Sequence, residues 1–192
     1  DSLAALAILA ETAERQNLEE AVTWRERIAR SLPKDLESQL NLASAALRFG
    51  KLDLAREALN GIAPRDRESA AFHIVAGWLA RAEGNFAEQE EQFAAAVKKE
   101  PGNDLYQFNL AALQIRSKDP DKSKDARETL ERLITITPYR SGALRALLND
   151  AVERNDRTSA DSLAQQLQMS PEVTFGDYLL CLNFYQKLDE KK

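Results

Sequence analysis

The sequence predicts an all-α fold, a right-handed α-solenoid of antiparallel helix pairs with about eleven helices, and three observations support it. Apolar residues recur at helical spacing, similar residues recur every 34 positions, and only 7 glycines and 6 prolines interrupt the 192 residues. Apolar residues three and four positions apart form one stripe on a helix. A fixed period of this length is typical of stacked helical repeats, in which each unit buries its apolar face on the next.

The 34-residue period holds along most of the chain. It slips by three residues at the polar run 117–123, which predicts a lengthened loop there. Three sets of residues keep the period of 34: Leu18, Leu52 and Phe86 are one set, Gly50 and Gly84 a second, and Ala126 and Ala160 a third.

Five helix pairs and a final single helix follow from the apolar stripes. The pairs are predicted at about 2–15/18–31, 35–49/52–62, 68–82/86–99, 104–117/122–137 and 141–154/157–169, and the last helix at 173–188. We expect a single domain over residues 1–192, with repeats at about 2–34, 35–67, 69–103, 104–140 and 141–172. Because the chain starts at Asp1 without an initiator methionine, we expect it to be a segment of a longer protein. The sequence therefore favours neither the cytoplasm nor the periplasm.

Composition and charge argue against several classes of protein. Hydrophobic residues make up 44% of the chain and charged residues 30%, a balance typical of soluble globular domains. The 26 basic and 31 acidic residues are interspersed, so no basic stripe suits a nucleic-acid backbone, and nucleic acid is not an expected partner. No apolar run approaches the length that spans a membrane. One cysteine excludes an internal disulfide.

Residues that could carry chemistry are isolated from the partners that such chemistry needs. His73 is the only histidine, and we expect it to pack or face solvent because no second histidine or nearby cysteine could complete a metal site. Cys181 is expected to be a buried, inert thiol. Glu88, Glu90 and Glu91 are typical of a solvated helix face rather than of a catalytic acid–base pair. The sequence therefore predicts no enzyme, no metal and no cofactor.

One segment resembles the tetratricopeptide repeat (TPR), whose pattern is W-x2-L-G-x2-Y, then A-x3-F, then P over about 34 residues. The matching residues are Ala76-Gly77, Gly84-Asn85-Phe86, Phe93, Ala96 and Pro101. Similar matches begin at Leu42-Ala43 and at Asn109-Leu110-Ala111. The chain thus resembles about five and a half repeats of the TPR family.

Alternation of small and large residues gives a physical reason for that pattern. Small residues are expected where the two helices of a pair cross, and large residues fill the gap to the next pair. The small ones are Ala43, Gly77, Ala111, Ala55, Ala126 and Ala160, and the large ones are Leu59, Phe93 and Leu130.

The resemblance implies a concave groove lined by the first helix of each pair, in which an asparagine often bonds a bound peptide. Asn41 and Asn109 match that position, and Asn109 is expected to face water in the free protein. The predicted groove residues are Leu40, Asn41, Ser44, Ile74, Trp78, Leu105, Phe108, Asn109 and Ala112. A groove of this composition suits an amphipathic helix or an apolar extended segment of a protein partner. As an alternative, several of these residues, Trp78 and Phe108 among them, belong to the core.

The last predicted helix is apolar over most of its circumference, whereas the end of a solenoid normally turns a polar face outward. It therefore offers a second candidate surface, for self-association into a homo-oligomer, formed by Phe175, Tyr178, Leu179, Leu182 and Tyr185. The leading functional hypothesis is a non-catalytic protein-interaction scaffold. The alternatives are a structural spacer or self-assembly module that uses this helix, and an accessory domain of a larger enzyme.

Overall fold

The computed structural model describes the backbone of residues 2–189 and the side chains of residues 2–186. Within that range all regular structure is helical, with eleven α-helices and no strand, which confirms the predicted all-α fold. A short 3₁₀ turn, Pro64–Asp66, follows the fourth helix. The helices are α1 (Leu3–Arg15), α2 (Glu20–Ser31), α3 (Leu36–Arg48), α4 (Leu52–Gly61), α5 (Ala70–Ala82), α6 (Phe86–Lys99), α7 (Asp104–Gln114), α8 (Pro120–Leu133), α9 (Thr137–Glu153), α10 (Arg157–Gln168) and α11 (Phe175–Asp189).

Two compact units divide the chain, Asp1–Pro101 (unit 1) and Gly102–Lys192 (unit 2). Unit 1 holds three helix hairpins, α1/α2, α3/α4 and α5/α6, and unit 2 holds α7/α8, α9/α10 and the single helix α11. We call the odd-numbered helices first helices and the even-numbered ones second helices. In unit 1 the first helices α3 and α5 contact each other, and in unit 2 so do α7 and α9. Helices that are consecutive in sequence thus pack as hairpins in both units.

The same turn links the first helix to the second in four of the five hairpins. Its central residue has a left-handed backbone, with φ of 55° at Asn17, 70° at Gly50, 79° at Gly84 and 58° at Asn155. The next residue donates its N–H to a carbonyl five positions earlier, at 2.8–2.9 Å in all four turns. This bond is the mark of a Schellman cap, which favours glycine or asparagine at the left-handed position. The sequence pattern identified the two glycines but not their asparagine equivalents.

The fourth hairpin agrees with the prediction at the start of α8 and differs from it at the end. The loop between α7 and α8 is five residues long, 115–119, in agreement with the lengthened loop expected at the polar run. However, α8 ends at Leu133 and α9 already begins at Thr137, so the predicted bounds 122–137 and 141–154 are wrong there. Pro138 lies in the first turn of α9, where its missing N–H leaves no hydrogen bond unmade. It therefore starts a helix rather than ending one.

The alternation of small and large residues accounts for the core of each unit. The predicted small residues Ala43 and Ala55 are fully buried in unit 1, and Ala126 and Ala160 are nearly or fully buried in unit 2. Phe93 is fully buried, and a Cβ atom added to Gly77 would lie only 2.5 Å from its ring. Helix α5 can approach α6 this closely only because Gly77 has no side chain.

Gln89 occupies a position where the repeat pattern normally has a small alanine. Its side chain is 3% exposed, and its Oε1 atom has no hydrogen-bond partner among the described residues. A buried polar atom without a partner costs about 1–3 kcal/mol. We therefore expect Gln89→Met, which keeps the length of the side chain, to raise the free energy of unfolding by about 1 kcal/mol in urea denaturation.

Gln92 on the same helix is the matched control for Gln89. Its Oε1 lies 2.7 Å from His73 Nδ1, so Gln92→Met removes a hydrogen bond and should destabilise the protein. A Gln89→Met protein that is less stable than the wild type would contradict the view that Gln89 Oε1 is unpartnered.

Candidate partner-binding faces

The residues weighed for chemistry have structural roles. His73 Nδ1 is hydrogen-bonded to Gln92, and its ring contacts Phe72 edge-on, which is the packing role expected of it. Cys181 is 1% exposed and its Sγ lies 3.8 Å from the carbonyl of Ala164. Across the described residues, no group of three or more histidine, cysteine, aspartate or glutamate side chains is placed to hold a metal ion, and no helix is long and apolar enough to cross a membrane.

In unit 1, the first-helix face keeps only part of the predicted groove. Leu40 and Ile74 are 7% and 8% exposed, so they belong to the core and their assignment to the groove is wrong. The stripe that packs against neighbouring helices lies beside the groove stripe, and close helix packing covers both residues. Asn41 is half-buried and Ser44 is exposed, so these two remain accessible.

Trp78 lies between the core and the surface of unit 1. Its ring meets Phe93 edge-on, with centroids 5.3 Å apart, and the guanidinium of Arg81 lies 5.2 Å from the ring centroid. The side chain is half-buried overall. Trp78 therefore helps to pack α5 against α6, while Arg81 covers part of its ring.

In unit 2, three predicted groove residues remain accessible on α7. Leu105 is 45% exposed, and Phe108 and Ala112 are half-buried. Phe108 packs against Gly142 of α9, where an added Cβ would lie 2.6 Å from its ring, and it stacks on Tyr139 with centroids 5.9 Å apart. A glycine on α9 thus lets an aromatic side chain of α7 lie across the two first helices.

Asn109 is 7% exposed, which contradicts the expectation that it faces water. Asn109 lies on α7 at the boundary between the accessible stripe and the stripe that faces the core. Helix packing therefore covers it, whereas its neighbours Phe108 and Ala112 remain half-buried. Truncation of Asn109 would therefore affect stability as well as any binding. Asn41, its equivalent in unit 1, is the better probe of a surface role.

Helix α11 carries an exposed apolar stripe along one face. Phe175, Tyr178, Leu179 and Leu182 are 77%, 50%, 44% and 51% exposed, and we call these four residues the C-terminal stripe. Their spacing of three and four residues places them on one side of the helix. Tyr185 was expected among them, but it is half-buried and its hydroxyl donates to Asp161 Oδ1 at 2.9 Å, so it belongs to the contact with α10.

A partly buried ion pair ties α11 to α9. Asp177 is 2% exposed and accepts hydrogen bonds from both Nε and Nη2 of Arg145. It also accepts from the N–H and the hydroxyl of Thr174, each at 2.8 Å. The Arg145 guanidinium, assisted by Thr174, overcomes the opposing effect of burial and lowers the pKa of Asp177 from 3.8 to about 2. We did not identify this pair from the sequence, although Thr174 and Asp177 have the spacing of a helix capping box.

The helices form pairs that stack within each unit and leave positions on the first helices accessible. The protein therefore belongs to the class of α-helical repeat proteins. No protein-family model and no curated protein matches the sequence. Among solved structures, the chain is similar to a chain in the structure of Naa15/Naa10 bound to HypK-THB, with 23% identity and a TM-score of 0.53. The match covers 90% of this chain but only 26% of that one, so this chain spans about a quarter of its neighbour's length. The likeness confirms the helical-repeat fold, while membership of the TPR family stays a prediction.

Proposed function

We propose that the protein is a non-catalytic scaffold that binds segments of partner proteins on the accessible face of its first helices. One observation carries the proposal. Large apolar side chains, Leu105 and the C-terminal stripe, are between 44% and 77% exposed on first helices of unit 2. A cluster of exposed apolar residues is costly in water unless a partner covers it, which is why such clusters mark interaction sites.

Two further observations support a binding role. The single histidine and the single cysteine are engaged in packing. Glu88 and Glu91 of α6 are exposed, and Glu88 accepts a hydrogen bond from Asn85 Nδ2 at 2.8 Å. The solved neighbour is part of a complex of Naa15 and Naa10 with HypK-THB, which agrees with a repeat that holds other proteins.

Selection from a displayed library of random peptides tests this proposal. Peptides are selected on the whole chain. Those that bind the first-helix face of unit 1 should bind Asn41→Ala about tenfold less tightly, and those that bind the face of unit 2 should bind Leu105→Ser about tenfold less tightly. Fluorescence anisotropy of the labelled peptides measures the affinities. Both side chains are at least partly accessible, so thermal unfolding should change little.

Phe86→Ser is the matched control, because Phe86 is 63% exposed but lies on the second helix α6. Peptides whose affinity falls on Phe86→Ser, and not on the first-helix variants, would place the binding surface on the second helices. The proposal would then be wrong.

A second candidate function, self-assembly, is favoured by the same C-terminal stripe. If α11 pairs with α11 of another copy, sedimentation should detect a dimer that Leu182→Ser converts to a monomer. The scaffold proposal instead expects a sedimentation coefficient that does not change with this substitution.

A further inference from the structure

The C-terminal stripe falls at the same repeat positions as the predicted groove residues of α7. Residues 105, 108, 109 and 112 of α7 correspond to residues 142, 145, 146 and 149 of α9, a shift of 37 residues. Those of α9 correspond in turn to residues 175, 178, 179 and 182 of α11, a shift of 33 residues. Two contacts agree with this register, since Phe108 packs on Gly142 and Arg145 bonds Asp177. The two surfaces that the sequence suggested separately in this unit therefore belong to one face. We call the four residues at these positions on each helix its inner positions.

The burial of α9 indicates that the C-terminal stripe is not merely an edge that a further repeat would cover. Helix α9 has a first helix on each side, α7 and α11, and its own second helix α10. Its inner positions, Gly142, Arg145, Ala146 and Asn149, nevertheless remain half-buried. A further repeat packed on α11 would give α11 the same surroundings, so its inner positions would stay partly open too.

Side-chain size varies across this face in a way that suits one helix. The outer helices carry large side chains, Leu105 and Phe108 on α7 and the C-terminal stripe on α11, whereas α9 between them has Gly142 and Ala146. Packed helices lie about 8–10 Å apart, so α7 and α11 are separated by roughly 16–20 Å. Because this separation is measured between helix axes, a helix about 10 Å wide that lies over α9 would contact side chains of both walls.

Arg145 adds a polar requirement in the middle of this apolar face. Its side chain is 38% exposed, and its hydrogen bonds, from Nε and Nη2, both go to Asp177. Among the described residues, the N–H groups of Nη1 have no acceptor, so they are available to a ligand. Covering them without an acceptor would cost free energy, and a lysine side chain, which only donates hydrogen bonds, could not supply that acceptor.

We propose that unit 2 binds one amphipathic helix of a partner protein over α9, with α7 and α11 as walls and with one hydrogen-bond acceptor side chain of the partner opposite Arg145. This inference rests on the proposed scaffold function and assigns the C-terminal stripe to the partner site rather than to self-association. The occupant presents leucine-like side chains to both walls and a glutamine or glutamate to Arg145.

A displayed library of helical peptides of about 15 residues, four turns, provides the probe. Leucine is fixed on one face, and one position at the centre of that face is varied among Gln, Glu, Leu and Lys. We expect selection on the whole chain to enrich Gln or Glu. In anisotropy measurements with the selected peptide, replacing that residue by Lys should weaken binding at least about tenfold.

Substitutions on both walls test the location. The affinity for the selected peptide should fall about tenfold in each of three variants, because each removes apolar contact area. These variants are Tyr178→Ser and Leu182→Ser on α11 and Leu105→Ser on α7. Met169→Ser is the matched control in the same unit, since Met169 is 82% exposed but lies outside the inner positions, and it should leave the affinity unchanged. Circular dichroism should show unaltered helix content in all four variants.

Three outcomes would overturn the inference, and they differ in what they mean for the proposed function. If Leu105→Ser abolishes binding but both α11 variants bind normally, the scaffold function stands and α11 is not a wall. If no selected peptide depends on any first-helix position, the scaffold function fails as well. If Leu182→Ser only dissociates a dimer, the C-terminal stripe is a contact between copies.

Discussion

Gly77→Leu is expected to lower the free energy of unfolding by about 3 kcal/mol, at the upper end of the usual cost of overpacking a core. A Cβ atom at Gly77 would lie 2.5 and 2.6 Å from two carbons of the Phe93 ring, well inside contact distance. Phe93 is fully buried and cannot swing away without moving its neighbours. Urea denaturation of the variant and the wild type measures the difference.

Two comparisons make the Gly77 result specific. Among the described residues, none has an atom within 4 Å of a Cβ added to Gly61, so Gly61→Ala should be neutral or slightly stabilising. Combining Gly77→Leu with Phe93→Ala should cost less than the sum of the two single substitutions, because the smaller residue makes room for the larger one. A melting temperature that Gly77→Leu leaves unchanged would show that α5 and α6 do not cross at this glycine.

Arg145→Met is expected to destabilise unit 2 by about 3 kcal/mol at pH 7, because it leaves the buried carboxylate of Asp177 without its charged partner. Asp177→Asn should cost less, about 1 kcal/mol, since the 38% exposed Arg145 can regain water. Chemical denaturation of the two variants tests this order. Arg116→Met is the control, because its pair with Glu153 is 62% and 54% exposed and should contribute little.

The pH dependence of the Arg145 effect has a definite sign. The pKa of Asp177 is lowered from 3.8 to about 2 in the folded state, so its ionised form stabilises the fold above about pH 4. That contribution is lost as the pH falls from about 4 to 2, where the carboxyl group takes up a proton. The stability gap between wild type and Arg145→Met should therefore shrink over this range. A gap that stays constant down to pH 2 would mean that Arg145 acts through packing rather than charge.

Helix positions and the crossing residues could be predicted from the sequence because both depend on local pattern and size. The repeat register predicts Gly77 at the crossing of its helix pair, and the structure has it there. Phe93, expected in the gap to the next pair, instead contacts Gly77 across the crossing. The start of α9 could not be read in the same way. Pro138 is compatible with either the end of one helix or the first turn of the next, and the packing of neighbouring helices decides between them.

Exposure at the candidate face was harder to predict than helix position. Leu40 and Ile74 share the helical spacing of groove residues, but one step around a helix separates a groove position from a core position. Asn109 shows the same difficulty for a polar residue. The pair of Arg145 with Asp177 joins residues 32 positions apart, and no local pattern reports such a contact.

The recurring left-handed turn has a consequence for how the chain reaches this structure. Each Schellman cap closes a hairpin between helices that are consecutive in sequence, at Asn17, Gly50, Gly84 and Asn155. Contacts of this kind have a low contact order, so little loop-closure entropy is lost before they form, and proteins rich in them fold fast. A nascent chain can therefore complete one hairpin after another as it emerges, without waiting for distant segments.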